Sequence, residues 1–123
     1  MIIGVGLDIC AIERFADEQR RLRFMRRFFS EGEQGHVVAR GMAAAECAAG
    51  IFAAKEAAIK AMGVGLGNVP LTDIFLEYSV EGAPRLALSG KAKERADAMG
   101  VSRWHVSVSH DGGVAMAIVI LEG

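Results

Sequence analysis

The sequence predicts an α+β domain in which an antiparallel sheet packs on one long central helix. Three observations lead there. Residues 2–9, IIGVGLDI, alternate with the period of a strand. Residues 42–62 contain no proline and a single glycine, which suits a helix up to about 30 Å long. EGAP at 81–84 and Asp111-Gly112-Gly113 each punctuate a pair of alternating apolar runs, the pattern of a hairpin.

The elements follow in order. In the first strand Ile3, Val5, Leu7 and Ile9 share one face, and Gly4, Gly6 and Asp8 the other. Glycine inside a strand weakens it and marks close approach of a ligand or another backbone. The pair therefore clears room in front of the Asp8 carboxylate. A helix from Glu13 to Phe24 comes next, then Ser30 with Glu33 three residues later, a capping box. The long helix ends at Gly63, and GVGLGNVPLTD is a loop. Residues 74–80 form a strand that EGAP turns into RLALS. A short helix follows, with Ser89 as N-cap and Gly100 as its stop. WHVSVS and VAMAIVILE are the last two strands. The chain has no internal repeat, linker or low-complexity tract, and its 123 residues are expected to form one domain.

Composition excludes several classes. With 52 % hydrophobic and 24 % charged residues the chain is globular. No apolar run approaches the ~18 residues of a membrane span. MIIGVGLDIC has neither a basic start nor a small-residue cleavage site, so a cytoplasmic location is expected. Cys10 and Cys47 lack metal-site spacing and read as reduced, packed thiols. The net charge is −1, yet residues 13–29 hold six arginines against three acids. A basic stripe on a slightly acidic chain points to one acidic partner surface; the plainer reading is a solvated helix face.

The central stretch FAAKEAAIKAMG places Lys55 inside an apolar stripe of Ile51, Phe52, Ala58, Ile59 and Met62, with Glu56 and Lys60 at its border. A helix that is apolar or small all round is buried or packed on two sides. Glu56 and Lys60 could be a simple i,i+4 ion pair, and Lys55 could snorkel its head to an edge. Asp8 and Glu56, if they meet, would make a hard oxygen site of the kind Mg²⁺ takes, with one or two carboxylates and substrate phosphates. Lys60 would then be a phosphate counter-charge. Alternation in WHVSVSHD sets His105, Ser107 and Ser109 on a polar face suited to anionic oxygens. Ser109, His110 and Asp111 are contiguous strand residues, pointing to opposite faces, and cannot act as a triad. The glycines of GVGLGN have neither a following GK[ST] nor a strand–helix context.

GVGLDI, FAAKEAAIKAMG and WHVSVSHD, in that order and spacing and with EGAPRLAL between them, resemble the holo-[acyl-carrier-protein] synthase family, the small 4′-phosphopantetheinyl transferases. The resemblance covers nearly the whole chain. It implies that a serine of apo-acyl carrier protein attacks the β-phosphate of coenzyme A, taking phosphopantetheine and releasing 3′,5′-ADP, in fatty acid or polyketide biosynthesis. By family match Asp8 and Glu56 hold Mg²⁺ and Lys60 meets the phosphates. Arg85, His105, Ser107 and His110 belong to the coenzyme A site. The serine's proton could go to Glu56, a metal-bound water or Asp111, with a base near the metal preferred. The family docks the acidic helix of its carrier protein where Arg14, Arg21 and Arg23 lie, with Met25 and Phe28 as apolar anchors. Its similar members are homotrimers with active sites between subunits. Neither nucleic acid nor a membrane is an expected partner. One departure is Ile51, where the family usually has arginine; if that arginine holds a coenzyme phosphate, Arg40 or Arg85 must substitute. EGEQGHVVARG also fits the family poorly. Two competing readings are a two-metal nuclease of the ribonuclease H-like kind, which would need more acids and a broader basic face, and a helical adaptor, which would leave Asp8 and Glu56 unexplained.

Overall fold

The computed structural model describes residues 1–65 and 68–123. Strand β1 (Ile2–Ala11) opens the chain and ends in a 3₁₀ turn, Ile12–Phe15. Helices α1 (Glu18–Phe28), α2 (Glu31–Ala39) and α3 (Ala44–Ala61) follow, then the hairpin β2 (Ile74–Tyr78) and β3 (Pro84–Leu88). Helix α4 (Gly90–Met99) leads to the second hairpin, β4 (Arg103–Asp111) and β5 (Val114–Glu122). The main sheet is antiparallel in the order β1-β5-β4, and β2-β3 forms a separate two-stranded ribbon. Helix α3 lies across β1 and β5 as the central element, as the sequence predicts.

The sheet turns an unexpected face to that helix. Gly4, Gly6, Asp8 and Cys10 point inward, alongside Ala115, Ala117, Val119 and Leu121 of β5. Ile3, Val5, Leu7 and Ile9, the larger apolar set, lie on the outer face and are exposed. The reason is distance. A methyl group added at Gly6 would stand 1.8 Å from the Ala57 carbonyl oxygen, and one at Gly4 2.1 Å from that of Ala61. The room cleared by Gly4 and Gly6 is therefore filled by the α3 backbone, and the alanines of the helix permit that approach.

Other boundaries move for identifiable reasons. The first helix begins at Glu18, not Glu13, because Asp17 is its N-cap and accepts from the Arg20 amide at 2.8 Å. It continues to Phe28, four residues beyond the expected end. The capping box of Ser30 and Glu33 forms in full. Ser89 stands at the N-cap of α4 but makes no side-chain cap; Asp73 does so from outside, accepting from the Lys91 amide at 2.8 Å. The loop expected over 63–73 includes Leu66 and Gly67, which lie outside the described residues, and Leu71–Asp73 is a 3₁₀ turn. Gly112 and Gly113 both have positive φ, which lets the β4–β5 turn match the strand twist.

Lys55 does not snorkel. It and Glu33 are both 0 % exposed, with Lys55 Nζ 2.9 Å from Glu33 Oε1. The ammonium also donates to the Leu71 and Ile74 carbonyls. Glu33 accepts from the Ser30 and Leu76 amides, each at 2.8 Å. Burial pushes the Lys55 pKa down, and Glu33 pulls it back. One buried pair thus ties α3 to α2, β2 and the turn before it.

Candidate active site

The site begins where β1 crosses α3. Asp8 comes from the inner face of the strand and Lys60 from the last turn of the helix; Lys60 Nζ is 2.9 Å from Asp8 Oδ1 and 3.0 Å from the Leu7 carbonyl oxygen. The alternative pairing of Lys60 with Glu56 is absent among the described ion pairs, because Asp8 takes the ammonium instead. Glu56, half-buried one turn earlier, is near enough to feel both. Its pKa is raised by burial and by the negative charge of Asp8, and Lys60 and Arg14 offset part of that rise. Two carboxylates of like charge, converging from elements 48 residues apart in the chain, create a demand for a cation. No group of three or more His, Cys, Asp or Glu side chains is gathered to hold a metal among the described residues. Asp8 and Glu56 could supply two hard oxygen ligands to an ion such as Mg²⁺, with water and phosphate oxygens completing its coordination.

The anion-binding candidates divide between two places. A cleft of about 200 Å³ lies between α2, α3, the β2–β3 hairpin and the end of β4. Arg40, Glu46, Ile51, Tyr78 and His110 line it, with His110 Nε2 3.6 Å from Glu46 Oε2. Ile51 is 1 % exposed and forms part of its wall. Of the two arginines that might stand in for an arginine at position 51, Arg40 shares this cleft. Arg85 lies in a separate hollow with Trp104 and His105.

His105 and Ser107 project from the outer face of the sheet, in register with Ile120 and Ile118. Asp8 projects from the inner face, so one chain does not bring them together with Asp8, Glu56 and Lys60. His105 instead sits 2.7 Å from Glu122 Oε1, beside Arg103 at 3.0 Å. Those two contacts, the His105 hydrogen bond first, hold Glu122 below the usual carboxylate range. Asp111 is exposed at the β4–β5 turn, again on the outer-face register.

The arginine segment is in part structural. Phe24 makes edge contacts with Phe15 at 5.2 Å and Phe52 at 5.3 Å, fixing α1 to α3. Met25, expected as a partner anchor, is 1 % exposed and belongs to the core, since the face of α1 that carries it packs inward. Arg21 donates to the Phe15 carbonyl at 2.8 Å, bracing the turn before its own helix. Arg14 stacks over the Phe52 ring at 4.9 Å. Arg14 and Arg23 are exposed, and Phe28 is half-buried beneath Arg27. Cys10 and Cys47 are free thiols, and burial pushes Cys47 up to about 11, which leaves it a poor nucleophile.

Sequence reasoning missed the Lys55–Glu33 pair. A glutamate at the third position of a capping box, four residues before Val37 in a helix that must pack on α3, was the available signal.

Known proteins supply the remaining comparison. Residues 4–119 match the family model of the 4′-phosphopantetheinyl transferase superfamily. The holo-[acyl-carrier-protein] synthase of Anaeromyxobacter dehalogenans is 45 % identical over 128 residues, covering 100 % of this chain and 98 % of that protein. That of Nitratidesulfovibrio vulgaris is 45 % identical over 127 residues, covering 99 % of each. Among solved structures, the Helicobacter pylori holo-[acyl-carrier-protein] synthase in complex with coenzyme A superposes with a TM-score of 0.79 at 34 % identity, over 96 % of this chain and 99 % of that one. The Neisseria meningitidis enzyme gives a TM-score of 0.86 at 28 % identity over 100 % of both. With its fold, its two converging carboxylates and its full-length relatives in agreement, the chain belongs to the holo-[acyl-carrier-protein] synthase family of 4′-phosphopantetheinyl transferases.

Proposed function

We propose that the chain transfers phosphopantetheine from coenzyme A to a serine of apo-acyl carrier protein in the cytoplasm, with Mg²⁺, releasing 3′,5′-ADP. The observation that carries this reading is the convergence of Asp8, Glu56 and Lys60 at the β1–α3 crossing. Asp8 and Glu56 would hold the metal ion, which when bound neutralises charge developing on the pyrophosphate. Lys60 reaches phosphate oxygens from the half-exposed end of the helix. The serine oxygen forms its bond to the β-phosphorus as the bond to the leaving 3′,5′-ADP oxygen breaks. The serine proton leaves on the side where Glu56 stands; Asp111, on the outer-face register, is the less favoured acceptor. Arg40 is the guanidinium best situated to compensate for Ile51.

The same reading assigns the exposed apolar face of the sheet. Ile3, Val5, Leu7, Ile9, Met116 and Ile118 form a continuous surface across β1 and β5, larger than isolated surface apolar residues explain. His105 and Ser107 flank it on β4. Packing these faces in a homotrimer would bury the patch and carry His105, Ser107 and Arg85 of one subunit toward Lys60 of the next. That arrangement accounts for their separation within one chain.

Incubation with coenzyme A, Mg²⁺ and apo-acyl carrier protein should add the mass of phosphopantetheine to the carrier. Absence of that gain at any enzyme concentration overturns the proposal. The exposed arginines of α1, with Arg14, would dock the acidic carrier. Arg23→Glu should raise the KM for carrier about tenfold with the KM for coenzyme A unchanged. Arg23 is the cleaner probe, because Arg14 also acts electrostatically on Glu56. Equal changes in both constants would show that the stripe is not the docking surface.

A further inference from the structure

Lys60 is engaged inside the protein although its side chain is 55 % exposed. Rather than pairing with Glu56, four residues earlier on the same helix, its ammonium bonds across to Asp8 Oδ1 and the Leu7 carbonyl of β1. Asp8 is only 16 % exposed and rides on a strand locked against the helix backbone, so it cannot follow if the lysine leaves. The lysine can leave, because its long stem opens to solvent. We infer that Lys60 is a resident counter-cation on Asp8, displaced by the divalent ion and thereby released toward the coenzyme's phosphates. This rests on the transferase reading above.

The argument is one of charge and space. Asp8 and Glu56 present two negative charges from opposing elements, and a single ammonium bonded to one of them leaves the other unpaired. A divalent ion satisfies both. It cannot do so while an ammonium holds Asp8 Oδ1, because two cations within a few ångströms in a partly desolvated site repel strongly. Metal entry and lysine departure are therefore one exchange. The ammonium keeps Asp8 neutralised and fixed until the metal arrives, and the Leu7 carbonyl gives it a second anchor. Once displaced, Lys60 lacks a partner on β1, and the phosphates of coenzyme A provide one. Metal and coenzyme then favour each other's binding through the lysine, in addition to any direct phosphate coordination, and linkage makes the effect reciprocal.

Mn²⁺ binding to the full chain, followed by electron paramagnetic resonance without coenzyme, tests the exchange. Lys60→Met should bind Mn²⁺ about tenfold more tightly than the parent, and Lys60→Gln should do the same, so that a folding defect in one variant does not decide the matter. Adding Asp8→Asn to Lys60→Met should remove the gain. Coenzyme A should raise Mn²⁺ affinity more in the parent than in Lys60→Met. Equal or weaker Mn²⁺ binding by both Lys60 variants in the absence of coenzyme overturns the exchange, including the case in which neither binds. The transferase reading is judged separately by mass gain on the carrier, so transfer without tighter binding in the variants would reject the exchange alone.

Discussion

Glu56→Gln is expected to lower phosphopantetheine transfer by at least about 1000-fold while melting no lower than the parent. The two halves of that result have one cause. Glu56 is held beside Asp8 in a half-buried place, where both burial and the neighbouring charge oppose its ionisation. The carboxylate that suits a cation is thus a burden to the fold without one. Glutamine keeps the shape and removes the charge, so the proposed metal site is lost and the repulsion with it. The pH dependence has a definite sign. Because the pKa of Glu56 is raised in the folded state, its favourable contribution is present below the unfolded pKa and lost as pH rises through the raised value. The advantage of Glu56→Gln in melting temperature, measured without metal, should therefore be small in acid and widen towards neutrality. A variant that kept full activity would remove Glu56 from the metal site.

Lys55→Met is expected to destabilise the fold by about 3–5 kcal/mol, the largest loss among the substitutions considered. Methionine matches the stem of lysine but leaves the Glu33 carboxylate fully buried, with only the Ser30 and Leu76 amides as partners. The Leu71 and Ile74 carbonyls lose their donor at the same time. Adding Glu33→Gln should recover a substantial part, because the amide oxygen still accepts a backbone hydrogen bond and no charge is stranded. Urea denaturation of the two single variants and the double variant gives the coupling directly. Additive losses would mean that Lys55 and Glu33 act independently, contrary to their 2.9 Å contact.

Periodicity made the elements legible: the strands, both hairpins and the long helix all stand where alternation and glycine position them. What it could not supply was which face of β1 meets the helix. Hydrophobicity favours Ile3, Val5, Leu7 and Ile9 as the core face, and steric fit decides for the glycines, because only they allow the Ala57 and Ala61 carbonyls so near. The site shows the same division. Asp8, Glu56 and Lys60 stood out as charges in apolar or glycine-rich surroundings, but their meeting depended on a register between β1 and α3 that no local pattern encodes. Met25 misled for a related reason: an apolar residue among arginines can face a partner or the core, and the packing of α1 decides which.

The glycine contact also bears on which ion the site would prefer. Asp8 and Glu56 reach each other from two elements whose spacing is set by bare backbone, with no side chain between to compress or rotate. Such a gap is stiff. Mg²⁺ binds oxygen at about 2.0–2.1 Å, and Ca²⁺ at about 2.3–2.6 Å with more ligands. A pair of carboxylates pinned by strand-to-helix contact would adapt poorly to the larger radius. In the proposed site, discrimination between the two ions would therefore reside less in the ligands than in two hydrogen atoms, one on Gly4 and one on Gly6.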